Sequence, residues 1–179
     1  MQRYVAFLRG MNLGARRITN AELRTRFEEI GCEEVATFRA SGNVVFAAAG
    51  AEPALAERIE TELGERLGYE VPVFLRGAGE VAAIATTEPF PAAEVAAAKG
   101  KLQVQLLAAR PKAAARKAAL ALASEEDRLA IEGRELYWLP SGGISESDLD
   151  LKAIERALGP GTVRTMGTIE QIAAKWCAG

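Results

Sequence analysis

The apolar positions of this chain change period in a fixed order. Tyr4–Arg9 is a run of strand length ending at Gly10, with Val5, Phe7 and Arg9 on one face and Tyr4, Ala6 and Leu8 on the other. Thr19-Asn20-Ala21-Glu22 is a capping-box pattern that opens a helix, Leu23, Phe27 and Ile30 form its stripe, and Gly31 closes it. Val35–Ala40 and Asn43–Ala48 read as two strands turned at Ser41-Gly42. Pro53 opens a second helix, Leu55, Ile59, Leu63 and Leu67 fall four apart along it, and Gly68 stops it. Val71–Leu75 is a strand that Pro72 assigns to a sheet edge or to its first residues. This order, β-α-β-β-α-β, is the ferredoxin-like split unit.

Residues 76–100 are Ala-rich, contain Glu88-Pro89-Phe90-Pro91, and read as a short helix and a connector. The pattern then returns. Leu102–Ala108 is a strand, and Pro111 opens an Ala-rich helix to about Ala123. Arg128–Ile131 and Glu135–Leu139 form a hairpin across Glu132-Gly133. Ser147-x-x-Asp150 opens a helix striped by Leu151, Ile154 and Leu158 and stopped by Gly159-Pro160; Thr162–Thr165 is a last strand and Thr168–Trp176 a terminal helix. The expected architecture is α/β (α+β): two ferredoxin-like (α-β plait) halves, βαββαβ repeated, with a C-terminal helix. Residues 1–80 make the first half, 81–100 the connector and 101–179 the second. In such a unit the first strand lies beside the third and antiparallel to it. Arg9, Asn12, Ser41 and Asn43 are therefore expected together at one end of the first sheet.

Composition narrows the function. A length of 179 residues with 49% apolar and 26% charged positions is that of an ordinary soluble globular protein. A net charge of −2 argues against a chain devoted to non-specific nucleic-acid binding. The charge is uneven, however: residues 1–50 hold seven Arg against five acids, and residues 51–100 hold four basic groups against nine acidic ones. There is no histidine, and the cysteines are Cys32 and Cys177. A disulfide framework and any His-activated nucleophile are excluded by these counts, and a zinc, haem or non-haem iron site would lack its usual histidine and paired-cysteine ligands. No metal and no cofactor is expected. No basic segment precedes an apolar core at the start and no window reaches transmembrane length, so the expected place is the cytoplasm, off the membrane.

The basic end carries two glycine-rich strings at strand ends, Leu8-Arg9-Gly10-Met11-Asn12-Leu13-Gly14 and Arg39-Ala40-Ser41-Gly42-Asn43-Val44-Val45-Phe46. One reading is an anion pocket, with the Arg9 guanidinium, amide groups and glycine N–H donors closing round a phosphate or carboxylate. The other pairs Arg9 with a glutamate and gives Asn12 and Asn43 to turn backbone. Both stay open, and no glycine pattern matches a P-loop or a dinucleotide fingerprint. Arg16, Arg17 and Arg39 extend the basic end, either as phosphate contacts or as a solvated loop. A ferredoxin-like sheet is also an RNA-recognition architecture, and the strands offer Tyr4, Phe7, Phe38 and Phe46. The RNA-recognition signature is absent, so Phe38 and Phe46 are expected in the core.

Glu146, Asp148 and Asp150 admit a hard-cation reading, but acids at a helix start have a sufficient reason in capping and the helix dipole. Cys32 is expected to be a small buried group and Cys177 incidental. Tyr137 and Trp138 read as core or interface, next to a Pro140-Ser141-Gly142-Gly143 loop able to border a groove.

The strings Val5–Gly14, Ala21-Glu22-Leu23-Arg24 and Ser41–Phe46 resemble the bacterial domain-of-unknown-function family 1697, with weaker echoes at Glu88-Pro89-Phe90 and from Thr162 to Ile169. The resemblance implies an α/β protein of two ferredoxin-like halves and implies no activity. It also adds Arg164 to the candidate site. The family pattern has a polar residue, often Gln, where Ala40 stands, and Arg-Asn-Trp-Asn-Thr where this chain has Arg164-Thr165-Met166-Gly167-Thr168. Only Arg164 and Thr168 carry over there, which reduces the polar reach of that stretch. The function expected is a non-catalytic binding module for an anionic small molecule, a nucleotide or a phosphate-bearing partner, nucleic acid included. Its candidate residues are Arg9, Gly10, Asn12, Gly14, Arg39, Ser41, Gly42, Asn43 and Arg164. The alternatives are an enzyme using Arg and Asn to stabilise charge with a carboxylate base, and a protein-interaction module working through sheet faces or edges.

Overall fold

A computed structural model describes every residue except Asn12, Ala15, Arg16, Ala40, Ser41, Ala178 and Gly179. The described chain divides into two compact units, Met1–Ile84 with Ile172–Gly179, and Ala85–Gln171. Each holds one four-stranded antiparallel sheet.

In the first unit, β1 (Gln2–Leu8) is followed by α1 (Asn20–Glu29), the hairpin of β2 (Glu33–Thr37) and β3 (Asn43–Ala48), α2 (Glu52–Leu67) and β4 (Val73–Gly77). The sheet order β2-β3-β1-β4 is the ferredoxin-like one. Pro72 thus precedes an edge strand, where its missing N–H costs no ladder bond. Sequence fixes the helix ends. Thr19 and Glu22 close a reciprocal capping box on α1, and Gly68 ends α2 in the left-handed region. Tyr4, Ala6, Leu8, Val44, Phe46, Val73 and Leu75 face Leu23, Phe27, Leu55, Ile59 and Leu63 of the two helices. The opposite sheet face is buried as well, at Val5, Phe7, Val45 and Phe74.

α3 (Ala78–Ala85) follows β4 and closes the first unit's main segment; in the second unit, α4 (Ala92–Ala97) leads into β5 (Gln103–Leu107), α5 (Ala113–Leu120), β6 (Asp127–Glu132), β7 (Glu135–Pro140), α6 (Leu151–Leu158) and β8 (Gly161–Thr165). The order β6-β7-β5-β8 repeats the first sheet strand for strand. Ser147 is not the start of α6. That helix is capped by Asp150, whose carboxylate accepts the Ala153 N–H at 2.8 Å, and a short 3₁₀ turn at Ile144–Glu146 precedes it. The expected terminal helix is α7 (Met166–Ile172), continued by a π-helical turn at Ala173–Cys177 that packs with the first unit. Among the described residues no helix is long and apolar enough to cross a membrane.

Candidate functional site

Strand register builds the Arg9 end of the first sheet. Phe7 pairs with Asn43 on one side and with Phe74 on the other. One residue on, the Leu8 N–H donates to the Gly42 carbonyl at 2.8 Å, and the Arg9 N–H donates to Pro72 at 3.0 Å. The base of Arg9 is thereby clamped between the β2–β3 turn and the entry to β4, and its side chain is half-buried. Gly10 turns the chain in the left-handed region, at φ +74°.

The facing turn is equally shaped. The Phe38 N–H donates to the Asn43 carbonyl at 3.0 Å, closing a hairpin from which Arg39 projects into solvent. Arg39 itself has φ +58°, a conformation that costs a non-glycine residue about 1 kcal/mol. Gly42 is buried with φ +73°, and a Cβ there would meet Met11 Cγ at 2.9 Å and Leu8 Cβ at 3.1 Å. Only glycine fits that position without displacement. The side chain of Asn43, fully buried, donates to the Phe38 carbonyl at 3.0 Å. For Asn43 the turn-closing reading therefore describes what the side chain does.

Arg9, Gly10, Arg39, Gly42 and Asn43 accordingly share one end of the sheet. Gly14 lies further along the loop and accepts a bond from Arg17 Nη1 at 2.9 Å. Asn12, Ser41 and Arg16 lie outside the described residues. Arg164 belongs to the second unit, on β8, where its Nη1 donates to Thr162 Oγ1 at 2.9 Å and to the Val163 carbonyl at 2.8 Å. Burial pushes its pKa down to about 10.

The aromatic side chains divide differently from the expectation. Tyr4 and Phe46 stack in the core with centroids 6.0 Å apart, and Phe7 is also fully buried, so none of the three presents a ring to solvent. Phe46 is a core residue as expected. Phe38 is not: it is half-buried at the sheet edge, edge-on to Trp176 at 5.7 Å, with the Arg39 guanidinium 5.4 Å from its centroid. It ends an edge strand, so alternation alone did not supply the covering layer that would make it core. Trp176 falls at the end of the expected terminal helix, and nothing in the sequence pattern singles it out. Arg76 was missed too. It is 1% exposed on β4, with Nη1 donating to the Leu75 carbonyl at 2.7 Å. The signal was present in the alternation, since Arg76 falls on the face of Phe74 and pairs in register with Val5.

The second unit carries a different constellation. Asp127 is buried, and its Oδ1 accepts from Trp138 Nε1 and from Ser147 Oγ, both at 2.7 Å. The Pro140–Gly143 loop does border a cavity, of about 230 Å³, with Glu126, Asp127, Glu146 and Ser147. A wider adjoining space of about 630 Å³ is lined by Glu94, Lys99, Glu125 and Arg128, among others. Glu146 accepts the Gly143 N–H at 3.4 Å and Asp150 caps α6, as local backbone chemistry requires. Among the described residues no group of three or more acidic or cysteine side chains is arranged to hold a metal ion. Both cysteines are free; burial pushes the Cys32 thiol up to about 11 and raises that of Cys177.

A model of the family described as "Protein of unknown function (DUF1697)" matches residues 1–137. No curated protein matches the chain. Among solved structures, the conserved bacterial protein SP0830 from Streptococcus pneumoniae is similar in fold, with a TM-score of 0.72 and 19% identity over 97% of each chain. At that identity the likeness concerns the fold alone.

Proposed function

The chain belongs to the DUF1697 family, whose function is unknown, and we propose that this member is a binding module for a phosphate-bearing ligand, seated at the Arg9 end of the first sheet. The observation that supports it is the convergence there of two arginines with two left-handed glycine turns. Backbone bonds tie Arg9 to Pro72 and its neighbour Leu8 to Gly42, and Arg39 lies in the hairpin turn at the same end of the sheet. Guanidinium groups next to turns whose N–H groups can face outward form an anion receptor. The positive conformation of Arg39 is consistent with that role, because backbone strain is retained where surrounding structure and function maintain it.

The test is a thermal-shift titration of wild type and Arg9→Ala with inorganic phosphate, pyrophosphate and ribose 5-phosphate, at low and high salt. Wild type should be stabilised, less so at high salt. Arg9→Ala should lose on the order of 1.5–3 kcal/mol of binding, about ten- to a hundred-fold in affinity. Its unliganded midpoint should stay near that of wild type. A wild type that none of these anions stabilises would overturn the reading and favour a protein-interaction module.

A further inference from the structure

The edge of the first sheet carries a second feature, which shares only Arg39 with the proposed anion site. Four side chains alternate there as cation, ring, ring and cation. Arg39 lies over Phe38, Phe38 stands edge-on to Trp176 at 78°, and the Lys175 ammonium sits 4.4 Å from the Trp176 centroid. All four belong to the first unit, Trp176 and Lys175 through the terminal π-helical turn. That turn is tied down by Arg3, whose Nη1 donates to the Trp176 carbonyl at 3.4 Å. Both rings are half-buried, whereas Arg39 and Lys175 are exposed.

A purely structural aromatic pair would be expected to bury its rings and to place an apolar neighbour over them. Here the groups over the ring faces are charged ends of flexible side chains, which a ligand can draw aside. Cations over ring faces are individually weak at exposed sites and give way to better partners. A phosphate is a better partner for Arg39 and Lys175, and a flat heteroaromatic ring is a better partner for an indole face.

The cluster also adjoins the anion site. Phe38 and Asn43 exchange backbone and side-chain bonds, Asn43 pairs with Phe7, and Arg9 lies two residues beyond Phe7 on the same side of β1. Phe38 is thus about two strand spacings from Phe7, roughly 10 Å, and with Arg9 two residues further along, the backbone separation of Phe38 and Arg9 is about 12 Å. The rest of that row, Asn43, Phe7 and Phe74, is buried, so the edge position is where this sheet face meets solvent.

We infer that the ligand of the Arg9 end is a nucleoside phosphate, its base stacked at Trp176 and Phe38 and its phosphate drawn to Arg9 and Arg39. This rests on the phosphate reading above. It differs from base stacking on central sheet aromatics, because Tyr4, Phe7 and Phe46 are not accessible. The same chemistry can come from a free nucleotide or from single-stranded nucleic acid.

Trp176 makes the test direct. The protein has two tryptophans, and Trp138 is buried with its indole N–H bonded to Asp127. Emission that responds to a stacked base should therefore come from Trp176. Intact protein is titrated with ribose 5-phosphate, adenosine 5′-monophosphate and a six-residue single-stranded oligonucleotide, following emission and affinity. We expect the two base-bearing ligands to quench emission and to bind on the order of ten-fold more tightly than ribose 5-phosphate. Trp176→Ala should lose that advantage, and Trp176→Phe should keep most of it, with unliganded thermal midpoints reporting whether the terminal turn stays docked. An oligonucleotide that binds more tightly than the mononucleotide identifies the source as nucleic acid; equal binding identifies a free nucleotide. Ribose 5-phosphate binding as tightly as the mononucleotide, with no quenching by either, overturns this inference and leaves the phosphate reading standing. No binding of any of the three overturns both.

Discussion

Two loops at strand ends, one in each unit, are held in place by opposite means. The β2–β3 turn of the first unit, Phe38 to Asn43, is shaped by backbone conformation: Arg39 and Gly42 both sit in the left-handed region. The Pro140–Gly143 loop of the second is shaped by close packing. The Lys99 N–H donates to the Ser141 carbonyl at 3.2 Å, the Ser141 N–H to Glu126 at 2.7 Å, and Gly100 lies flat against Pro140 and Gly142. The first loop projects a cation outward, while the second gathers carboxylates that are largely occupied by caps and buried donors. Glycine marks both, for different physical reasons, and the chemistry follows from which reason applies.

Substitution at the two glycines separates these reasons and should give the largest effects. A Cβ at Gly100 would collide with the carbonyls of Pro140 and Gly142, and backbone cannot yield as a side chain can. Gly100→Ala should cost about 3 kcal/mol, read as a lower urea midpoint with an unchanged slope. At Gly42 the nearest obstacles are side-chain atoms, Met11 Cγ and Leu8 Cβ, of which the flexible methionine can shift. Gly42→Ala should cost less, about 1–2 kcal/mol, mostly from the left-handed backbone. Equal costs at the two positions would show that the loops are held in the same way.

A somewhat smaller effect is expected at Asp127, which ties the second loop to the sheet beneath it. Asp127→Ala leaves the Trp138 indole N–H and the Ser147 hydroxyl without their acceptor. The cost of such a buried donor is about 1–3 kcal/mol, so a loss near 2 kcal/mol is expected in chemical denaturation. Ser147→Ala removes the hydroxyl's bond to Asp127 and its acceptance of the Leu149 N–H but leaves the Trp138 indole N–H its acceptor, and should cost about 1 kcal/mol. If Asp127→Ala destabilised the protein by no more than Ser147→Ala, the carboxylate would not be the tie that joins loop and sheet.

Most of the fold was legible because both signals it depends on are local. The period of two in Tyr4–Leu8 and Val44–Ala48 and the four-residue spacing of Leu55, Ile59 and Leu63 specify elements, and the β-α-β-β-α-β order then leaves few sheet topologies. Thr19-x-x-Glu22 marked its helix correctly, but Ser147-x-x-Asp150 did not, because Ser147 is bonded to Asp127, twenty residues earlier in sequence. A local motif cannot reveal that a distant partner has already taken its hydroxyl. The same limit applies to the site. Of Arg9, Asn12, Ser41 and Asn43, expected together from strand pairing alone, Arg9 and Asn43 are seen at one end of the sheet, while Asn12 and Ser41 lie outside the described residues. The Phe38–Trp176 contact joins residues 38 and 176, and no periodicity in between indicates it. Asp127 was hidden for the same reason: its role is set by Trp138 across a hairpin and Ser147 beyond a loop.

The smallest effects sharpen the contrast at the helices that follow the first strand of each unit. In the first unit α1 opens with a complete capping box: the Glu22 N–H donates to Thr19 Oγ1 at 3.1 Å and the Thr19 N–H to Glu22 Oε2 at 2.7 Å. The Thr19 backbone bond, then the Thr19 hydroxyl and the Arg26 charge, hold the Glu22 carboxyl below its ordinary value of 4.5. A carboxyl depressed in the folded state contributes stability that is present above its unfolded value. That contribution is lost as pH falls below 4.5 through the folded value. The counterpart α5 starts from Lys112, which has extended backbone at φ −68° and ψ 158° but no side-chain cap. Thr19→Ala should therefore cost about 1 kcal/mol and flatten the acid limb of the stability profile. Lys112→Asp should do the reverse, adding about 0.5–1 kcal/mol near neutral pH by supplying the missing acceptor at a helix start. Thermal midpoints at pH 7 and pH 3.5 measure both. The Lys112→Asp gain should shrink at the lower pH, since a protonated cap is a weaker acceptor and has no charge to set against the helix dipole. A gain that is the same at both values would trace instead to removal of the lysine charge from the first turn.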